Sequence, residues 1–349
     1  MNKTRKTITI VFVMALIAFL AIRLMNQSEG EWVEKNEFVL GTFSQIRVYA
    51  PSEAEGEAII DNAFQRVREI ENRMSPHVET SQVYQINQQA GSSSVEVTDD
   101  TLKVIQTGID YYDKTTGLFH IGIGSLIELW GIGSDQPYIP TQDEVDEKLE
   151  ALDIHAIQIE GNDVQLLNSG MALDLGGIAK GYAVDESARI LREEGIESGF
   201  INFGGDVYAL GSKPDETPWN VGIREPVIES GTVLGRVPST DLSVVTSGDY
   251  ERYFIEDGTL YHHILDPRTG YPSQSDLSSV TVVSETSIDG DVYSTAVFIM
   301  GLEIGLSLVE STENVEAVFV NHQNEIFLSS GLQDGGFELM NDDYQIMEL

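Results

Sequence analysis

The chain has 349 residues, 41% hydrophobic and 22% charged, and no cysteine. That length makes one large domain or two ordinary ones; the apolar share excludes wholesale disorder, and the missing thiols exclude disulfides, thiolate metal sites and cysteine nucleophiles. With 20 Lys and Arg against 57 Asp and Glu the net charge is −37, which repels nucleic-acid phosphates and demands a local exception wherever an anionic substrate binds.

At the N-terminus Lys3, Arg5 and Lys6 precede an apolar run of fifteen residues, 8–22, broken only by Thr9 and closed by Arg23. A basic n-region joined to an apolar h-region predicts export of the rest of the chain. The run is shorter than the ~20 residues of a spanning helix, but Leu24, Met25 and snorkelling lysines extend it. Ala15, Ala18 and Ala21 are spaced by three and offer no small-x-small cleavage site. The expectation is an uncleaved signal anchor and linker over 1–30, then one domain over 31–349 on the extracytoplasmic side of the cell membrane. Residues 1–25 hold four basic and no acidic residues, leaving 16 against 57 beyond them, a net of −41. Positive charge stays inside and the acidic body goes out.

Ser52-Glu-Ala-Glu55 is a capping-box pattern ahead of Ile59, Ile60, Ala63, Phe64, Val67 and Ile70 at helical spacing. Leu102, Ile105, Ile109 and Tyr112 predict a second helix, 141–152 a short third that opens with another capping pattern, and 178–194 a fourth that stops at Gly195. Alternating or β-branched runs at 43–49, 154–159, 200–203, 242–245, 279–283 and 317–320 predict strands. Strands outnumber helices and do not alternate with them, so the fold class is α+β, mixed sheets with flanking helices, rather than a doubly wound sheet.

Glycine-rich polar stretches gather in the second half and are expected to converge on one site. Asp174-Leu-Gly-Gly-Ile-Ala-Lys-Gly181 comes after a strand-like 171–173 and opens a helix. Gly176 and Gly177 would admit a phosphate to the helix N-terminus and Lys180 would add a point charge; a turn that simply needs glycine explains the same residues. Asp291 and Thr295, four apart on a helical pattern through Ala296, Val297 and Met300, put two hard oxygens on one face. That suits Mg²⁺, which takes few protein ligands and shares phosphate oxygens; Asp291 as a helix cap is the alternative. His262 and His263 are neighbours on a strand-like run, so at most one faces a given pocket. A histidine beside metal-bound phosphate can serve as general base, or be structural. Arg268 reads as a phosphate contact or a surface charge, and Phe119, Trp130 and Tyr271 as ring partners or core.

In their order and spacing these stretches resemble the FAD:protein FMN transferase family, the ApbE flavin transferases. The resemblance covers about 37–330. It rests on Leu40-Gly-Thr42, Met74-Ser75 with Ser81 and Asn87, Trp130-Gly131, the 174–181 loop, Asn202-Phe-Gly-Gly-Asp206, Thr246-Ser-Gly-Asp249-Tyr-Glu-Arg252, His263-Ile-Leu-Asp-Pro-Arg-Thr-Gly-Tyr-Pro272 and the stretch from Asp291 to Ala296. It implies one large catalytic domain that cleaves FAD and moves FMN through a phosphoester bond onto a threonine or serine hydroxyl of a partner, releasing AMP. The implied partner is an extracytoplasmic flavoprotein subunit of a membrane redox complex. Asp291, Thr295, Ser294 and the carbonyl of Gly177 match the family's Mg²⁺ ligands, and His263 its catalytic base. Leu40, His77, Phe119, His120, Ile121, Asp174, Lys180 and Leu265 match positions that contact FAD. Relatives usually carry an aspartate in place of His120, often a tyrosine in place of His77, and Ala-Asp-Ala-Leu in place of Gly290-Asp-Val-Tyr293; many also carry a lipobox cysteine. The same residues would serve a Mg²⁺-dependent FAD pyrophosphatase that frees FMN and AMP. A flavin-binding protein without turnover would need neither base nor metal.

Overall fold

The computed structural model describes residues 30–348 apart from Glu229, so the expected anchor over 1–30 lies outside the described residues except for Gly30. Among the described residues no helix is long and apolar enough to cross a membrane. All of the expected β-branched runs except 154–159, whose strand Ile157–Glu160 joins a separate three-stranded sheet, collect into one nine-stranded sheet. In spatial order its strands are Glu31–Val39, Thr42–Ala50, Gly199–Phe203, Asp206–Leu210, Leu242–Gly248, Leu277–Ser284, Val315–Asn321, Glu325–Leu328 and Gln345–Ile346. All neighbours are antiparallel except the last pair, which is parallel, so the sheet is mixed.

Period-two alternation divides each central strand between two cores. Val315, Ala317 and Phe319 enter the core shared with helices Glu53–Met74, Ala179–Glu193 and Ser287–Met300, while Val318 and Val320 enter the other. That second core lies under a small sheet of Trp219–Arg224, Val233–Ser239 and Glu338–Leu339. With both faces covered, every residue of Asp206–Leu210 and of Leu277–Ser284 is buried. The register of Leu277–Ser284 shifts between Leu277 and Ser279. This bulge lets Leu277 share the helical core with Val280, a residue of opposite parity.

A third apolar cluster, of Leu126, Trp130, Val145 and Leu265, joins the helices Gly124–Trp130 and Gln142–Ala151 to the hairpin Tyr253–Glu256 and Thr259–His262. Trp130 is fully buried and donates Nε1–H to Gly270 O at 2.8 Å. Gly270 holds φ +73°, and a Cβ there would stand 2.5 Å from Val145 Cγ1. Glycine is therefore required for the turn to lie on this helix.

The helices obey their caps. Thr141 forms a full capping box with Glu144, and Ser52 accepts from Glu55 N at 3.4 Å at the head of Glu53–Met74. The second expected helix is Asp99–Lys114. Two expectations are corrected. The run 154–159 is not one strand: Asp153 Oδ1 accepts His155 N at 2.9 Å and closes the 3₁₀ turn Ile154–Ala156, after which Ile157–Glu160 pairs as a strand. The 171–173 segment makes only the single bridge Ile123–Ala172. It is held instead by Asn87, whose amide donates to Leu173 O at 2.9 Å and accepts from Leu173 N at 2.7 Å.

Candidate active site

The centre of the site is where two helices touch. A Cβ on Gly181 would sit 2.4 Å from Ser287 O, and one on Gly290 would sit 2.6 Å from Val245 Cγ2. Only glycine at both positions lets Ala179–Glu193, Ser287–Met300 and the strand Leu242–Gly248 approach so closely. The approach brings Asp291, 4% exposed, to the start of the neighbouring helix, where its Oδ2 accepts from Gly181 N at 3.0 Å. The anion at this helix N-terminus is thus the chain's own carboxylate. Nearby, Asp174 Oδ1 accepts from Gly176 N at 2.7 Å, and Ile178 and Ala179 donate to Leu175 O.

Lys180 lies between two acids. Its Nζ is 2.6 Å from Asp206 Oδ2 and 3.9 Å from Asp291 Oδ1. Burial pulls the ammonium pKa down, but the two carboxylates outweigh it and the net shift is upward. Two carboxylates against one ammonium leave the cluster with a formal charge of −1 when all three are ionised. Lys180 is therefore committed to the protein's own charges rather than being a free phosphate contact. Burial is the first cause that pushes Asp291 up to about 7; Lys180 opposes it and Asp206 adds to it.

One turn along, Ser294 and Thr295 both donate to Asp291 O, at 3.1 and 3.2 Å, and Ser247 Oγ donates to Ser294 Oγ at 2.9 Å. Gly177 adjoins them: a Cβ on it would lie 3.1 Å from Phe119 Cε2 and 3.9 Å from Thr295 Oγ1. The donor set is of the kind that suits a hard divalent cation such as Mg²⁺. It is all oxygen, contains one carboxylate, and leaves Asp291 Oδ1 without a hydrogen bond among the described residues. Among those residues no group of three or more His, Asp or Glu side chains forms a self-sufficient cage, so a cation here must share its shell with substrate and water.

His262 and His263 divide as neighbours on a strand must. His262 is buried, with Nε2 2.9 Å from Ser273 O and its ring edge-on to Phe298. His263, just past the strand end, is half-buried; its backbone N donates to Arg252 O at 3.0 Å and its Nδ1 is 3.2 Å from the same oxygen. A carbonyl only accepts, so the fitting tautomer carries its proton on Nδ1 and leaves Nε2 free to take one. Burial first, then the charge of Arg252, lowers its pKa to about 3. Arg268 is not a phosphate contact in this geometry: it forks onto Asp266, with Nη2 2.7 Å from Oδ2.

The remaining expected residues are placed around this centre to different degrees. Phe119 is buried against Gly177. Exposed His77 and Arg252 both bear electrostatically on Asp174, whose pKa is raised by burial against their opposing charges. His120 is turned edge-on to Tyr112, and its Nδ1 accepts from Gly122 N at 3.0 Å; burial pushes its pKa down to about 4. Ile121 is core, fitted against Gly108. Leu265 is buried beside Trp130 in the third cluster. Leu40, at φ +54°, forms the hairpin turn with Gly41, and the adjoining Thr42 touches Gly204 two residues before Asp206. Three residues of this site lay in the sequence motifs without a role: Asp206, Ser247 and Arg252. Their only signal was membership of a polar glycine-rich stretch.

Fold and site together define the class of an α+β enzyme with a buried acid centre and a neutral histidine beside it. The profile of the ApbE family matches residues 40–319. FAD:protein FMN transferases from Treponema pallidum (strain Nichols) and Klebsiella pneumoniae (strain 342) are 34% and 35% identical, over 85% and 84% of this chain and 87% and 91% of their own. The ApbE protein of Thermotoga maritima superposes with a TM-score of 0.80 at 31% identity, covering 87% of this chain and 98% of its own. The flavin transferase ApbE of Vibrio cholerae gives 0.79 at 28%, covering 87% and 99%. The chain belongs to the ApbE family.

Proposed function

We propose that this protein transfers FMN from FAD, as a Mg²⁺-dependent reaction, to a threonine or serine hydroxyl of a partner protein and releases AMP. The observation that carries the reading is one site holding both a hard-oxygen set around Asp291 and a histidine with a free Nε2, linked through Lys180, whose charge acts on both. A protein that merely stored flavin would need neither.

The roles come from the contacts. As the acceptor oxygen bonds to the FMN phosphorus, His263 Nε2 takes the hydroxyl proton; the phosphoanhydride bond to AMP breaks and its electron pair leaves on the AMP phosphate. Arg252 O holds the His263 ring in the required tautomer throughout. Lys180 and Gly181 N keep the Asp291 carboxylate in place, and Asp174 pins the glycine loop through Gly176 N. Mg²⁺, held by Asp291, Thr295, Ser294 and the Gly177 carbonyl, would supply charge neutralisation on the diphosphate. The acceptor is read as an extracytoplasmic flavoprotein subunit of a membrane redox complex, with the chain held at the cell membrane through 1–30. The basic n-region, the apolar run behind it and the acidic body support that placement.

The test is to incubate the full chain with FAD, MgCl₂ and an acceptor domain and to separate the nucleotides. AMP formation should cease with EDTA and in Asp291→Ala, and should fall about 10²–10⁴-fold in His263→Ala with FAD affinity retained. AMP formation indifferent to EDTA would contradict the metal assignment.

A further inference from the structure

We propose that Arg252 is the phosphate-binding cation of the site and grips the FMN-side phosphate of FAD; this rests on the transferase reading. In a body of net −41, nearly every cation is spoken for. Among the described residues Lys35, Arg66, Arg68, Arg73, Lys148, Lys180, Arg189, Arg192, Arg224, Arg236 and Arg268 each have an ion pair, and Arg47, Lys103, Lys114 and Lys213 each lie over an aromatic ring. Arg252 has neither, and its guanidinium donates no hydrogen bond among those residues.

This free cation is exposed but anchored at its base. Its Cδ lies 3.7 Å from where a Cβ would stand on Gly133, and its carbonyl is fixed by His263 N at 3.0 Å. Its charge acts on Asp174, on Lys180 and on His263, disfavouring the protonated forms of all three. With no carboxylate in ion-pair contact among the described residues, the guanidinium is open to an arriving anion. Its planar fork matches two phosphate oxygens. The position also selects which phosphate. His263 must reach the hydroxyl that attacks the FMN phosphorus, and Arg252 is the residue whose backbone carbonyl holds His263, so the proposal assigns its guanidinium to that same phosphate. With Lys180 taken up by Asp206, Arg252 supplies the local positive charge that an acidic protein needs to bind an anionic dinucleotide.

Flavin fluorescence titration of the full chain in EDTA separates this contact from every metal effect. Riboflavin, FMN and FAD would be titrated against wild type, Arg252→Gln and Arg252→Lys, with thermal melting as the control for folding. The Gln variant should bind FMN and FAD about tenfold or more weakly while binding riboflavin as wild type does, and the Lys variant should recover part of the loss. Equal FMN affinity in wild type and Arg252→Gln, or a matching loss for riboflavin, would overturn the proposal and leave the transferase reading intact. A wild-type chain that binds no FMN in EDTA would overturn the proposal, and one that binds no flavin even with Mg²⁺ restored would overturn the transferase reading as well.

Discussion

As the proposed metal ligand, Asp291 meets two demands that conflict. A metal ligand must be ionised, yet burial pushes this carboxyl from 3.8 up to about 7. Between those values the folded chain holds a proton that the unfolded chain has released. Metal-free stability therefore falls as pH rises through that window and levels off above it. Asp291→Asn removes the buried charge, keeps the shape and leaves Lys180 its bond to Asp206. At pH 8 without metal its Tm should rise by about 2–4 °C while FMN transfer is lost; a lower Tm would contradict the electrostatic assignment. Proton and metal also compete for this carboxylate. The acid limb of kcat/KM should lie near pH 7 and move lower as Mg²⁺ is raised, because His263, lowered to about 3, stays neutral throughout. A limb that ignores Mg²⁺ concentration would assign it to another group. The Asp291–Thr295 spacing and the splitting of the two histidines were legible in the sequence, since helix and strand periods dictate them. The partner of Lys180 was not. Asp206 lies 26 residues away and reaches Nζ only because the strand Asp206–Leu210 runs beside the glycine-loop helix.

At the scale of elements, the site depends on how closely two helices cross. Gly181→Ala would place a methyl 2.4 Å from Ser287 O, which is backbone and cannot swing aside. It should cost about 1–3 kcal/mol in chemical denaturation and lower transfer by displacing the helix that carries Asp291. Wild-type stability and rate together would show that the crossing has slack. The long helices were legible because each has a cap and several turns of apolar period, as Thr141 and Ser52 show. Gln82–Gln88 and Gly124–Trp130 were not, because seven residues are too few to display a period, and Ile123 gives no side-chain cap. Leu302–Ser311 was hidden because Gly301, at φ +77°, reads as an ending; its next residue, Leu302, instead donates to Asp276 Oδ1 and starts a new helix.

For the whole molecule, the α+β class came from the excess of strands over helices. The sheet order did not, because pairing Gly199–Phe203 with Thr42–Ala50 spans some 150 residues of chain that no local pattern encodes. Burial on both faces of the central strands makes the sheet a rigid floor, and the glycine loop, Asp206, Ser247 and Asp291 are all fixed to it or to helices on it. The loops above carry His263 and Arg252. On the proposed reading, this acidic body accepts its anionic substrate with the help of a divalent cation and Arg252. Where FMN ends decides between transfer and hydrolysis. Intact-mass measurement of an acceptor flavoprotein domain, after incubation with the full chain, FAD and Mg²⁺, should show a gain of one FMN less one water, absent with Asp291→Ala or when the acceptor hydroxyl is removed. An unchanged acceptor mass alongside free FMN and AMP would contradict the transfer and leave a pyrophosphatase.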